Sequence, residues 1–360
     1  MTKYKATPKL KGYYYSPEEA HEARKNGKLL SMRVETSLMC NLKCKYCCNK
    51  SGTPLQDEIS YEKIIDIINQ AKDLGAKSIV VIGGGEPTIY PKFRELIYFV
   101  ANQGMIPVIF TNTTTMTKEL AKYLYDTNTT VITKLDSLTE GIQDNLVGVK
   151  GTYRLIQEGL SNLIEVGFAD VVDDSQLRLG ASFVVNKINM HEVPQIWNYC
   201  RENRLFPNIE MMIPNGNAKD LDDVYLSKED WKKLKLSLVD IDRNKYGYDW
   251  NPYMPHGGGC MQVYYNMYVT VKGFARPCSS IHADLAGVDL NVNKMSLEEI
   301  INSKFFQISR NLDKHLTGKC GSCEHIDKCT GCRGMAFAVA INSGKDAYEA
   351  ICCEDPTCFK

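Results

Sequence analysis

Fourteen cysteines stand in this chain of 360 residues, and their spacing is the first feature that could do chemistry. Three of them share one short segment, Cys40-Asn41-Leu42-Lys43-Cys44-Lys45-Tyr46-Cys47. Three thiolates in one loop can hold three corners of an iron–sulfur cube and leave the fourth iron open. An open iron is what a reaction needs, because a substrate can then coordinate it. Structural zinc is the other reading of clustered cysteines, and it normally takes four protein ligands, often as Cys-x2-Cys pairs. Only Cys48 is at hand as a local fourth donor, and adjacent residues rarely reach one tetrahedral ion.

Nine more cysteines lie near the end of the chain: Cys260, Cys278, Cys320, Cys323, Cys329, Cys332, Cys352, Cys353 and Cys358. Two fully ligated cubes need eight thiolates, so the supply suffices for two further clusters, although a double zinc ribbon would fit the same spacings. A disulfide framework belongs to short secreted chains and is the poorer reading here. Cys200, inside a predicted helix (His191–Asn203), reads as a buried small hydrophobe. Donation of a hydrogen atom is its competing role, and that of Cys48. The six histidines show no metal-ligand spacing.

These residues need elements to hold them. Short β-branched runs predict strands at Leu30–Thr36, Ser78–Ile82, Ile106–Thr111, Thr129–Leu135, Leu177–Val185 and Asn208–Ile213. Amphipathic helices are predicted between them. Ser60–Leu74 carries its apolar residues at helical spacing and stops at Gly75, Pro91–Gln103 stops at Gly104, and Thr152–Val166 stops before Gly167. Strand–helix alternation means a parallel sheet with helical crossovers, whose functional residues gather in the loops leaving the C-terminal strand ends. Before the first strand, Ser16-Pro17-Glu18-Glu19 starts a short helix. The run Tyr13–Tyr15 is expected to pack this leader onto the sheet, with a substrate-facing role as the alternative. After the last strand, Asn215–Asp223 is a polar linker, and Gln262–Pro277 alternates like a hairpin turning at Lys272-Gly273.

The Cys-x3-Cys-x-aromatic-Cys loop after strand one resembles the signature of the radical SAM superfamily. The resemblance implies an α/β fold, a partial (β/α)6 barrel, in which the open iron is chelated by S-adenosylmethionine. An electron from the cluster then yields a 5′-deoxyadenosyl radical that abstracts hydrogen from an unactivated C–H bond. Gly83-Gly84-Gly85-Glu86-Pro87, at the end of strand two, is similar to the family's glycine-glycine-glutamate-proline motif. It implies that Gly84 and Gly85 let backbone approach the methionine moiety while Glu86 accepts from its ammonium. Tyr46 matches the aromatic beside adenine. Asn112, Asp136, Ser137 and Ser182 occupy positions where relatives contact ribose or methionine, and Met212 is expected in the adenine pocket or the core.

The C-terminal cysteines resemble the SPASM extension, the small cysteine-rich domain of relatives that modify peptides, proteins and some small molecules, which implies one or two auxiliary iron–sulfur clusters of the [4Fe-4S] kind. By that resemblance Cys260, Cys278 and Cys332 hold a first auxiliary cluster, and Cys320, Cys323, Cys329 and Cys358 a second. Relatives often carry another cysteine just before the first of these, where this chain reads Pro255-His256-Gly257-Gly258-Gly259. An open iron, His256, Cys352 or Cys353 are therefore all candidates to complete the first cluster, and Cys352, Cys353 or Cys358 to close the second. The expected organisation is a leader over 1–29, the barrel over 30–215, a linker and bridging helix over 216–255, and the auxiliary-cluster domain over 256–360.

The implied activity is that of an oxidoreductase served by flavodoxin or ferredoxin. A peptide or protein side chain is the favoured substrate, an aminocyclitol or sugar handled by a dehydrogenase or epimerase the alternative. A non-catalytic zinc or iron–sulfur scaffold is the reading from another class. Composition narrows the partners: 43 basic residues balance 43 acidic ones, which argues against nucleic acid or an anionic membrane surface. No run approaches the about 20 apolar residues of a membrane span. The first residues are basic without an apolar stretch, so a cytoplasmic location is expected.

Overall fold

The computed structural model describes residues 4–170, 175–221, 223–254 and 260–360. Six parallel strands form its centre: β1 (Ser31–Val34), β2 (Ser78–Val81), β3 (Ile106–Thr111), β4 (Thr130–Lys134), β5 (Leu179–Val185) and β6 (Phe206–Met211). Residues alternate between the two faces of each strand. Ile79, Val81, Ile109, Val131, Ala181 and Phe183 face outward into one large core with the crossover helices. Val80, Val108 and Ile132 point the other way, into the lumen of the curved sheet.

The predicted helices form with small shifts at their ends. They are α1 (Pro17–Lys25), α2 (Tyr61–Asp73), α3 (Phe93–Asn102), α4 (Lys118–Asp126), α5 (Glu140–Val147), α6 (Thr152–Val166) and α7 (Val193–Glu202). Their starts follow local chemistry. Ser16 and Glu19 cap the first turn of α1 reciprocally, and the Ser60 hydroxyl accepts from Lys63 N at the start of α2.

The leader closes the bottom of the lumen. Leu10 and Tyr13 pack on Val80, Val108, Ile132 and Phe206. Tyr14 Oη donates to Asn208 Oδ1 at 2.7 Å, and Tyr15 Oη lies 2.9 Å from Ser78 Oγ. The run predicted as one strand over Leu177–Val185 is divided: Gln176–Leu177 pairs with Lys9–Leu10 of the leader, and only Leu179–Val185 joins the main sheet.

The C-terminal region continues the barrel sheet. Strand β7 (Asn266–Val269) runs parallel to β1, with Arg33 opposite Tyr268, and β8 (Ala275–Arg276) folds back antiparallel on β7. The predicted hairpin is thus shorter than expected, because Gln262–Tyr265 forms a helical turn. Helix α8 (Lys228–Ile241) bridges the two regions, and α9 (Arg333–Asn342) follows Cys332 directly. Buried Asp242 fastens the bridge to α7 by accepting from Trp197, Trp250 and the paired guanidinium nitrogens of Arg201. Among the described residues no helix is long and apolar enough to cross a membrane.

Candidate active site

A cavity of about 330 Å3 opens at the C-terminal strand ends, and both groups of cysteines reach it. Cys40, Cys44, Cys47 and Cys48 line one side, Cys260, Cys278 and Cys332 the other. Distant parts of the chain hold the first cysteine loop in place. Cys40 N donates to Gly52 O at 3.0 Å, Lys43 N and Lys45 N donate to Val147 O and Leu146 O at the end of α5, and Asn217 N donates to Cys47 O at 2.9 Å.

The glycine run after β2 docks backbone to backbone on this loop. Gly85 N donates to Ser37 O at 2.5 Å and Glu86 N to Met39 O at 2.8 Å. A Cβ on Gly84 would stand 2.6 Å from Ser37 O, and one on Gly85 would overlap the Met39 carbonyl. Gly83 and Gly84 also adopt positive φ, which glycine does without strain. The missing side chains therefore serve close approach to the cysteine loop, while Gly84 and Gly85 still line the cavity.

Glu86 is buried on the cavity wall. Its Oε1 accepts from Thr88 N, Thr88 Oγ1 and Thr111 Oγ1, and its Oε2 accepts from Asn112 N at 2.6 Å. Burial pushes the carboxyl up against the pull of these donors. Oε2 keeps acceptor capacity for a cation. Asn112 lines the cavity too, with its amide bonded to Asn41 Oδ1 and to Thr114. Ser182 is on the same wall, and its Oγ accepts from Asn208 Nδ2 at 3.4 Å.

Asp136 occupies a different position from the other expected cofactor contacts. It is fully buried and does not line the cavity; it accepts from the Tyr46 hydroxyl and from Val184 N, and pairs with Lys134 Nζ at 3.1 Å. The ring of Tyr46 lines the cavity, with Lys134 Nζ 5.2 Å from its centroid. Ser137 lies deeper still and donates to Glu192. Met212 packs on Tyr46 and borders the cavity.

In the C-terminal region the thiols form two neighbourhoods that meet at Cys329. Cys260, Cys278 and Cys332 act on one another electrostatically, Cys320 does so with Cys358 and Cys329, and Cys260 acts on Cys329 as well. Asp355 knits the two neighbourhoods: its Oδ2 accepts from Cys332 N at 2.7 Å, and its own N–H donates to Cys320 Sγ at 3.3 Å. Cys329 Sγ accepts from Gly331 N at 3.3 Å. Cys353 Sγ donates to the Glu349 carbonyl, turned toward its own helical turn. His256 and its glycine neighbours lie outside the described residues.

The residues fit iron–sulfur clusters. The donors are soft thiols grouped around open space, the ligand type that iron–sulfur clusters take. Burial pushes Cys40 and Cys260 up to about 11, and Cys44 and Cys329 up to about 12. In the metal-free chain these thiols hold their protons at neutral pH, and metal binding must release them.

Two family models match the chain: the radical SAM superfamily over residues 34–196, and the SPASM iron–sulfur cluster-binding domain over residues 260–324. The chain belongs to the radical SAM superfamily. As a radical SAM enzyme with a SPASM domain it uses a [4Fe-4S] cluster with S-adenosylmethionine, together with auxiliary iron–sulfur clusters. It is 23% identical to the AdoMet-dependent heme synthase of Nitratidesulfovibrio vulgaris, over 95% of this chain and 96% of that protein. To the mycofactocin maturase MftC of Mycobacterium tuberculosis it is 26% identical, over 85% of this chain and 79% of that one. Among solved structures, Streptococcus suis SuiB bound to its precursor peptide SuiA superposes with a TM-score of 0.68 at 18% identity. That match covers 95% of this chain and 80% of SuiB, and it speaks to the fold.

Several charged residues of this radical SAM site escaped sequence reading. Arg33, Lys134, Glu210, Lys235 and Arg333 all line the cavity. The only signal for three of them was phase: Arg33, Lys134 and Glu210 sit on the lumen-facing register of their strands. Lys235 is buried in α8, with Nζ donating to Met254 O at 3.2 Å. Cys200 is fully buried in the outer core, away from the cavity. Cys48 instead presents its surface to the cavity, and the protein around it pushes its thiol up to about 12.

Proposed function

We propose that this radical SAM enzyme oxidises a peptide or protein side chain inserted into the cavity between its cluster sites. Cys40, Cys44 and Cys47 are the ligands of the open cluster. The auxiliary clusters belong to Cys260, Cys278 and Cys332, and to Cys320, Cys323, Cys329 and Cys358. When bound, the open cluster supplies the electron that splits the sulfonium bond of S-adenosylmethionine into methionine and a 5′-deoxyadenosyl radical.

The protein's part is placement. Glu86 Oε2 has room to accept from the methionine ammonium, Tyr46 offers a ring held by Asp136, and Asn112 and Ser182 supply polar wall. The leader residues Leu10 and Tyr13 shut the lumen at the far end, which keeps water from a reactive radical. A flavodoxin or ferredoxin of the cytoplasm is the electron donor this chemistry calls for.

One observation carries the reading: a single cavity is walled by both the first cysteine loop and Cys260, Cys278 and Cys332. A radical formed at one side can be drained of its electron at the other. The kinship with MftC, a maturase, and with SuiB, solved with a precursor peptide, supports a peptide as the substrate.

The likeness to heme synthases, which spans 95% of this chain, favours a second reading with a heme precursor as substrate. Anaerobic enzyme given dithionite, S-adenosylmethionine and either the peptides encoded beside its gene or a heme precursor separates the two. Loss of hydrogen from a peptide by mass supports the first reading. Conversion of the heme precursor alone overturns it.

A further inference from the structure

Arg33 is a buried charge without a carboxylate. It stands on the lumen face of β1, it is 3% exposed, and among the described residues its Nε has no hydrogen-bond partner and no acidic side chain pairs with it. The ring of Tyr13 lies 4.7 Å from its guanidinium carbon and holds the group against the lumen. Taking a guanidinium out of water is costly unless an opposite charge compensates it. Among the other cations of the lumen, Lys134 pairs with Asp136, Lys235 donates to the Met254 carbonyl, and Arg333 donates to the carbonyls of Ile351 and Cys353 and reaches Cys320 Sγ, a thiol assigned to the second auxiliary set.

Thiols of the first auxiliary set share the cavity with Arg33. Cys260 and Cys278 line the same cavity and are the sulfur groups that act on its charge. Its strand is the one on which β7 pairs, so the barrel itself delivers this cation to the neighbourhood of Cys260 and Cys278. A cluster held by several thiolates is a net anion, and it becomes more negative on reduction. A fixed cation beside it therefore favours the reduced form and raises the potential.

We infer that Arg33 is the counter-charge of the first auxiliary cluster, supplied by the barrel to set that cluster's potential. The inference rests on the ligand assignment of the proposed function, Cys260, Cys278 and Cys332. Arg33 is a positioning residue in this sense, with no contact to the reacting atoms required.

The test is an EPR-monitored redox titration of the reconstituted full chain carrying Cys40→Ala, Cys44→Ala and Cys47→Ala, so that only auxiliary clusters report. Arg33→Met lowers the reduced-to-oxidised ratio of one cluster at least tenfold at a fixed potential, which is 59 mV for a one-electron couple. Arg33→Lys keeps most of the original value, and Cys278→Ala removes the same wave that Arg33→Met moves. A cluster lost from Arg33→Met and retained in Arg33→Lys also supports the counter-charge. Unmoved waves in Arg33→Met, or equal effects of methionine and lysine, overturn the inference while leaving the ligand assignment intact. A Cys278→Ala variant that keeps both waves overturns the assignment itself and the inference with it.

Discussion

The Tyr46 hydroxyl donates to Asp136, a carboxylate that lies behind the cavity wall rather than on it. The same carboxylate pairs with Lys134 and accepts from Val184 N, so one buried acid fixes an aromatic wall, a lumen cation and the strand β5. Asp136, expected to touch S-adenosylmethionine directly, is placed to hold Tyr46, the aromatic proposed to pack beside adenine.

Replacing Asp136 by Ala should therefore weaken binding of S-adenosylmethionine and leave the clusters loaded. Hydrogen bonds to charged groups contribute roughly 1.5–3 kcal/mol, so KM for S-adenosylmethionine should rise about tenfold or more on that scale. Kinetics of 5′-deoxyadenosine formation, with iron content measured alongside, check this. Loss of iron in proportion to activity would instead make Asp136 a scaffold of the cysteine loop.

Gly85→Ala should act in the opposite sense. The added methyl would meet the Met39 carbonyl, a backbone atom that cannot swing aside. Overpacking of this kind costs typically 1–3 kcal/mol, and here the strain falls on the loop between Cys40 and Cys47. Three cubes hold about twelve irons; this variant should reconstitute with about eight, its auxiliary clusters intact. A full iron complement would contradict the docking role assigned to the glycine run.

The placement of the cysteine triplet was legible because it depends on spacing and on a strand end, both of which sequence displays. The same holds for α1, whose capping box at Ser16 and Glu19 is entirely local. Asp136 stands behind the cavity wall because neighbouring side chains at a strand end diverge to opposite sides, and one residue of phase separates the wall from the layer behind it. Arg33 was missed for a related reason. A charge in a four-residue strand looks the same whether it meets water or the lumen, and only the closing leader with Tyr13 decides. The Gln262–Tyr265 turn read as strand because its aromatic and β-branched residues suit a sheet, until tertiary packing overrides the preference.

The leader is tied to the C-terminal region by Arg24, whose guanidinium nitrogens donate to both oxygens of Asp313 at 2.6 and 2.9 Å. These hydrogen bonds from Arg24 hold the Asp313 carboxyl below the usual range. A depressed carboxyl contributes its stability above the unfolded value, about 3.9, and loses it as pH falls through the lower folded value. Asp313→Asn should cost roughly 0.5–1 kcal/mol at neutral pH. The gap to wild type should close below about pH 4. Denaturant midpoints across that window measure it, and a gap independent of pH would contradict the assignment.

Cys200→Ala should lower stability slightly, by about 1 kcal/mol for a small buried side chain, and leave product formation unchanged. Cys48→Ala should also leave the product unchanged, because oxidation needs no thiol donor. Mass analysis of the product in deuterated water checks both. Solvent deuterium in the product that disappears in Cys48→Ala would make the enzyme an epimerase, with Cys48 as its hydrogen donor.

If Cys40, Cys44 and Cys47 leave one iron for S-adenosylmethionine, the anaerobically reconstituted chain must form 5′-deoxyadenosine from it with dithionite, and Cys44→Ala is the comparison. The wild-type chain should release the nucleoside and the variant none, while the variant keeps about eight of about twelve irons. Zinc bound at the triplet, or a fully loaded wild-type chain that makes no 5′-deoxyadenosine, would contradict that assignment.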